Sequence, residues 1–351
     1  MFTYRQIYGC YIKCRNNKRN TTSQLRFEMN AEQNLLRLQE ELDNRTYWPK
    51  RSICFVVDKP KLREIFAAGF KDRIAHHILV EHLEAAAEPK FIYDSYSCRK
   101  QKGTHKAVKR LQHFVRSVTE NNSKQAYYLQ LDIRSFFINI NKDILFDLVK
   151  KYTRDKDMIW LAKVIIYNDC TEDCRMTKGR NLLKYIPEHK TLFKQTKNNG
   201  LPIGNLTSQF FANLYLNELD QFIKHSLKCR YYLRYTDDFI ILHQDKGRLE
   251  RWMEDISVFL KEKLDLDLNI KKTTIRPISN GIDYLGYIVR PFYILVRRRV
   301  VNNLKAKIYT RTLSKESYMS YLGHFKHANA HRLQRHIEMI IDARIPKRRA
   351  A

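Results

Sequence analysis

The sequence predicts an α+β chain, and three observations carry that reading. Apolar side chains recur at three- and four-residue steps over about 24–43 and again over 73–88; an apolar run, Tyr127-Tyr128-Leu129-Gln130-Leu131, ends at Asp132; and two more such runs flank Thr236-Asp237-Asp238. At 351 residues the chain has room for several packed subdomains.

Taken in order, the stretch from Gln24-Leu25-Arg26-Phe27 through Leu35, Leu36, Leu38 and Leu42 marks an amphipathic helix in an N-terminal extension. Ile53 to Val57 turns β-like, Lys59-Pro60-Lys61 breaks the pattern, and Arg73 to Glu88 returns to helix with Ile74, Ile78, Leu79 and Leu83 on one face. Tyr231–Tyr235 and Phe239–Leu242 predict a hairpin. Ahead of it, Gly200-Leu201-Pro202-Ile203-Gly204 forms a turn, and Asn205 or Thr207 caps a helix through Phe211, Leu214, Tyr215, Leu219 and Ile223. A further helix follows at about 248–264. Ile282–Val289 and Tyr293–Val296 read as a strand pair across Arg290-Pro291-Phe292, and everything after Arg297 reads as helical and basic. No internal repeat and no low-complexity linker separates these elements.

Charge narrows the function classes. There are 65 Lys and Arg against 37 Asp and Glu, a net charge of +28 that would repel itself without an anionic partner. The basic residues are spread along the chain, at Arg99, Lys100, Lys102, Lys106, Lys109 and Arg110, at Arg297 to Arg299, and at Lys347 to Arg349, which suits a long nucleic-acid groove. With 21 Tyr and 18 Phe interleaved, a ribosomal or membrane-surface protein fits the same composition. No apolar run reaches the ~20 residues of a membrane span, and Met1-Phe2-Thr3-Tyr4-Arg5 lacks the apolar core of a signal peptide, so a cytoplasmic protein with no membrane partner is expected. The seven cysteines are an odd number, which argues for reduced thiols. Cys10/Cys14 and Cys170/Cys174 share a spacing that would allow one zinc, against tight zinc loops whose pairs are closer. His324, His327 and His331 share helical spacing, and a helix lying on nucleic acid explains them more simply than a metal does.

Either acidic position alone reads as ordinary: Thr-Asp-Asp as a polar turn, Asp132 as a helix cap. In order, with the glycine-flanked helix between them, they say more. Leu131-Asp132-Ile133-Arg134-Ser135-Phe136-Phe137 resembles the first palm motif of reverse transcriptases, and Tyr235-Thr236-Asp237-Asp238 resembles their Tyr-x-Asp-Asp motif. Gly200 to Gln209 resembles the family's template-binding helix motif, and Tyr284-Leu285-Gly286-Tyr287 its primer grip. Arg63-Glu64-Ile65, Asp72-Arg73-Ile74 and Ser95-Tyr96-Ser97-Cys98-Arg99 resemble the fingers of bacterial members, so the likeness spans about residues 50 to 330.

The resemblance implies a right-hand polymerase fold with fingers, a palm of antiparallel sheet plus helices, and a short helical thumb. Its parts would be an N-terminal helical extension over 1–50, fingers over 51–128, a palm over 129–297 with an insertion near 168–199, and a helical thumb with a basic tail over 298–351. It implies RNA-directed DNA synthesis on a structured non-coding RNA template, using dNTPs and a DNA primer or product. Two Mg2+ ions, with Mn2+ as the alternative, would sit on Asp132, Asp237 and Asp238, with the carbonyl of Ile133 as a further ligand; oxygen donors at rigid strand ends are what such ions require. Phe137 falls where the family places a bulky side chain against the sugar, excluding a 2′-hydroxyl, although the neighbouring Phe136 is an alternative for that role. Arg63 and Arg73, with Lys59 or Lys61, would meet the triphosphate. Lys272 stands where the family often has a proton donor to pyrophosphate, with Lys271 or simple solvation as alternatives.

Within the family the template-helix variant, with Ile203, Asn205 and Gln209, is similar to the enzymes of diversity-generating retroelements and to the unknown-group enzymes of prokaryotic antiphage defence. Ile203 replaces a polar amide near the nascent pair, which implies unusual template reading. The stretch 168–199 is read as a surface for RNA or a protein partner, or as a solvated loop. An RNA-dependent RNA polymerase and a non-catalytic RNA-binding scaffold are the rival functions.

Overall fold

The structure, a computed structural model, describes residues 2–16, 21–59 and 61–344; Pro60 and the basic run Lys347 to Arg349 lie outside them. The strands are β1 (Ser52–Val57), β2 (Arg63–Ala67), β3 (Tyr127–Asp132), β4 (Cys174–Lys178), β5 (Tyr231–Tyr235), β6 (Asp238–His243), β7 (Thr274–Pro277), β8 (Ile282–Tyr284), β9 (Tyr287–Val289) and β10 (Ile294–Val296). The helices are α1 (Tyr4–Arg15), α2 (Thr22–Glu28), α3 (Ala31–Asp43), α4 (Phe70–Ala87), α5 (Thr104–Val118), α6 (Phe136–Asn139), α7 (Lys142–Lys150), α8 (Lys156–Tyr167), α9 (Leu206–Gln221), α10 (Lys246–Leu264), α11 (Arg298–Tyr309), α12 (Lys315–Phe325) and α13 (His331–Arg344). The chain divides into two compact units, one of Met1–Tyr93, Ile133–Leu227 and Asp255–Asn269, the other of Asp94–Asp132, Lys228–Glu254 and Ile270–Ala351. Among the described residues no helix is long and apolar enough to cross a membrane.

In the first unit β1 pairs antiparallel with β2, from Ile53 opposite Ala67 to Val57 opposite Arg63, and parallel with β4, from Ser52 opposite Cys174. The helix expected over 24–43 is broken in two at Asn30, which takes a non-helical conformation (φ −133°, ψ 49°) and starts α3. Asn competes well with helical backbone bonding, which suits it to such a position. Helix α9 buries side chains on every face, including Phe210, Phe211, Leu214, Tyr215 and Leu219 and, with them, the polar Asn213 and Asn217. At its start Asn205 does not cap its own helix; its Oδ1 accepts the Ala68 N–H at 3.2 Å. Just before, the Ile203 carbonyl accepts the Phe66 N–H at 2.8 Å. Gly204 has φ +125°, and a Cβ there would meet the Phe66 carbonyl oxygen at 2.7 Å, so only glycine fits this approach.

The stretch 168–199 is folded, not a solvated loop. It supplies β4 and several short 3₁₀ turns, and buries Cys170 and Leu192 with Cys54, Phe66 and Ile138. The buried Glu64 carboxylate accepts the Thr191 hydroxyl at 2.6 Å and the Leu192 N–H, tying the stretch to β2.

In the second unit β5, β6, β3 and β7 form an antiparallel sheet in that order, and β10, β9 and β8 form another. Helix α5 covers the first with Leu111, Phe114 and Val115 against Tyr128, Leu233 and Ile240. The strand expected over 282–289 is two strands, because Leu285 (φ +49°) and Gly286 (φ +90°) turn it back on itself. The C-terminal helices pack on Leu304, Ile308, Phe325 and Ile337. His324 lies in α12, His327 beyond its end and His331 at the start of α13, so these histidines share no single helix.

Candidate active site

The acidic cluster is built on neighbouring strands of the second unit. Leu129 and Leu131 bury β3 in the sheet, and the strand runs out at Asp132. Its partner β6 runs the other way, so that Asp132 stands opposite Asp238 as the last pair of the ladder. Such pairs have Cα atoms about 5 Å apart. Asp238 is also opposite Tyr235 on β5, which makes Thr236 and Asp237 the two-residue turn between the strands. The structure thus brings Asp132, Asp237 and Asp238 to one end of one sheet.

The turn has an unusual backbone. Thr236 has φ +55°, a region that β-branched side chains rarely enter. Its hydroxyl donates to Ser97 Oγ at 2.6 Å and its carbonyl accepts from the Arg234 guanidinium at 3.1 Å. Arg234 is 0% exposed and Ser97 4%. Sequence reading missed both; the signal was an arginine inside the aromatic strand Tyr231-Tyr232-Leu233-Arg234-Tyr235, a position that would otherwise be apolar. The Tyr284 hydroxyl is buried with no hydrogen-bond partner among the described residues, and burial, then the Asp238 charge, pushes it well above the ordinary tyrosine value.

Lys272 Nζ lies 2.7 Å from Asp132 Oδ2, with the lysine side chain 54% exposed and the aspartate 16%. As the side chains stand, no group of three His, Cys, Asp or Glu among the described residues is gathered to hold a metal ion, whether at these carboxylates or at the cysteine pairs. The carboxylates nevertheless fit a hard divalent cation in donor type and rigidity, and an ammonium already answers the charge of Asp132.

The other expected residues lie in the first unit. Ile133 is buried and bridges to Leu268. Phe136 is the core ring at 2% exposure, whereas Phe137 is half-buried and meets it edge-on at 5.2 Å, which leaves Phe137 the freer of the two. Arg63 is exposed at the start of β2. Arg73 is half-buried and donates through Nε to the Ala68 carbonyl at 3.0 Å. Ile203 is half-buried, and Gln209 is exposed in the first turn of α9.

Residues 48–289 match the family described as reverse transcriptase (RNA-dependent DNA polymerase). The chain is 23% identical over 349 residues to the group II intron-encoded protein LtrA of Lactococcus lactis subsp. cremoris, covering 81% of this chain and 53% of that protein. It is 29% identical over 201 residues to the Retron Ec73 reverse transcriptase of Escherichia coli, covering 55% of this chain and 57% of that one. It therefore spans little more than half the length of these relatives. The solved structure of apo telomerase from Candida tropicalis matches in fold, with a TM-score of 0.51 at 12% identity, over 79% of this chain and 56% of that one. With the family matched across more than half of its length, this chain belongs to the reverse transcriptases.

Proposed function

We propose that this chain is an RNA-directed DNA polymerase that copies a structured non-coding RNA into cDNA by two-metal nucleotidyl transfer. One observation carries the reading: Asp132 and Asp238 close the β3–β6 ladder as a pair, with Asp237 beside them in the turn. These carboxylates would hold two Mg2+ ions, or Mn2+, which when bound stabilise the charge on the attacking 3′-oxygen and on the leaving pyrophosphate.

The chain's own side chains do the rest. Lys272, whose ammonium already sits at Asp132, carries a proton available to the leaving pyrophosphate. Phe137 bars a 2′-hydroxyl and selects dNTPs. Arg63 and Arg73 bind the triphosphate, and Ile203 and Gln209 meet the template strand. The surplus of 28 positive charges supplies the electrostatic footprint for RNA and for the DNA primer or product. The setting we propose is the cytoplasm of a prokaryotic cell, in an antiphage defence system or a diversity-generating retroelement, as the Ile203 variant of the template helix suggests.

The test incubates the purified chain and its co-purifying RNA with Mg2+ and either dNTPs or rNTPs. Incorporation of dNTPs is expected; incorporation of rNTPs alone, or of neither, overturns the reading. Asp237→Ala abolishes incorporation while changing the unfolding free energy by no more than about 0.5 kcal/mol, since a half-exposed turn carboxylate contributes little packing. Full activity in that variant sinks the assignment.

A further inference from the structure

The Thr236-Asp237 turn is held from both sides by residues outside the acidic set. Thr236 sits at φ +55°, where a glycine would be at ease and a β-branched residue is strained. Such strain persists only where the surroundings over-determine the conformation. Two polar groups of Thr236 are engaged by these residues: Oγ1 donates to Ser97 Oγ at 2.6 Å, and the carbonyl accepts from Arg234 at 3.1 Å.

The holding groups are themselves fixed. The Arg234 backbone N–H donates to the Asp94 carbonyl at 2.9 Å, and its own carbonyl accepts the Tyr96 N–H at 2.9 Å. The segment Asp94–Ser97 therefore runs beside β5, with Ser95 bridged parallel to Arg234, and delivers Ser97 to the turn. The Ser95 carbonyl accepts from Arg99 at 3.0 Å, and the Tyr96 carbonyl accepts the Gly103 N–H at 2.9 Å. A fully buried guanidinium and a nearly buried hydroxyl, both rigidly mounted, thus converge on the one residue that precedes the two carboxylates.

We propose that Ser97 and Arg234 are positioning residues: they hold Thr236 in the left-handed region and so fix the direction in which Asp237 and Asp238 present their carboxylates to a divalent cation. The proposal rests on the reading of those carboxylates as the metal site. Neither residue touches the reacting atoms; each acts through Thr236. Ligand direction matters to a hard cation because its shell tolerates little angular error.

The experiment titrates the full chain with Mn2+, without nucleotide, and follows free Mn2+ by electron paramagnetic resonance, with thermal unfolding as a check on folding. Ser97→Ala and Thr236→Val each remove the same hydroxyl contact, and each is expected to weaken Mn2+ binding several-fold. Combined, they weaken it no further than either alone, because they delete one interaction. Thr236→Gly relieves the strain and is expected to make binding indifferent to Ser97→Ala. Arg234→Met tests the other contact; if it unfolds, the Ser97 and Thr236 series stands without it. Unchanged affinity in Ser97→Ala and Thr236→Val, or losses that multiply in the double variant, overturns the proposal. An Asp237→Asn control separates the two claims: if it leaves the titration unchanged, the metal reading itself fails, whereas if it abolishes binding and Ser97→Ala does not alter it, only the positioning role fails.

Discussion

Lys272 and Asp132 form an ion pair of 2.7 Å at the end of β3, so the carboxylate that opens the acidic cluster is already neutralised by the chain itself. A cation arriving at Asp132 competes with that ammonium. The pair is half exposed on the lysine side, and such pairs contribute at most about 1 kcal/mol.

Lys272→Met is therefore expected to tighten Mn2+ binding in the absence of nucleotide, by up to about five-fold, the equivalent of that energy. If Lys272 also supplies the pyrophosphate proton, the same variant lowers kcat while metal affinity rises. A Mn2+ titration identical to that of the parent would show that the ammonium does not compete.

Phe137 is half-buried against the core ring of Phe136, so trimming it leaves the packing of Phe136 largely in place. Phe137→Val opens space beside a bound sugar. The ratio of kcat/KM for dNTP over rNTP is expected to fall by about ten-fold or more, in line with 1–3 kcal/mol of steric discrimination. The corresponding Phe136→Val variant is expected to destabilise the chain without changing that ratio.

The backbone of Ile203 is fixed by its carbonyl bond to Phe66, which no side-chain replacement removes. Ile203→Gln is thus a clean change of side chain on a half-buried position. Copying one RNA with parent and variant should give different error spectra; identical spectra would end the idea that this aliphatic side chain alters template reading.

Asp72 is buried at the start of α4, where its carboxylate accepts the Tyr47 hydroxyl at 2.9 Å and the Lys50 N–H at 3.1 Å. Burial pushes it up from 3.8 to about 6, against the lowering by those bonds. Between these values the folded chain holds a proton that the unfolded chain has released, so the contribution of Asp72 is present below about 3.8 and is lost as pH rises through about 6. Relative to Asp72→Asn, which cannot titrate, the parent should lose about 1.4 kcal/mol per pH unit across that window and then level off. Denaturant unfolding of both chains at several pH values measures the difference, and parallel curves would refute it.

Much of the site was legible in residue order. The apolar run into Asp132 and the paired runs around Thr236-Asp237-Asp238 are short, rich in aromatic and branched side chains and bounded by polar residues, which suits strands buried on both faces, and the family motifs stand at their ends. Helix α9 was legible from Phe211, Leu214, Tyr215 and Leu219 at three- and four-residue steps after a glycine-flanked turn. Local pattern could not reveal partners distant in sequence. That Asp132 meets Asp238 and that Lys272 reaches Asp132 depend on sheet register and chain reversal. The folding of 168–199 onto β1, where Thr177 Oγ1 donates to the carbonyl of Cys54, 123 residues away in sequence, depends on a ladder between segments that carry no mark of each other.

The tertiary structure alone decided how the Thr236 turn is held. A threonine in the left-handed region is unfavourable by itself, and the buried Arg234 of β5, together with the buried Ser97 on the segment bridged to it, supplies the two hydrogen bonds that keep it there. Sequence determined which side chains carry the charge; packing determined where they point, because direction is a property of contacts that residue order does not contain.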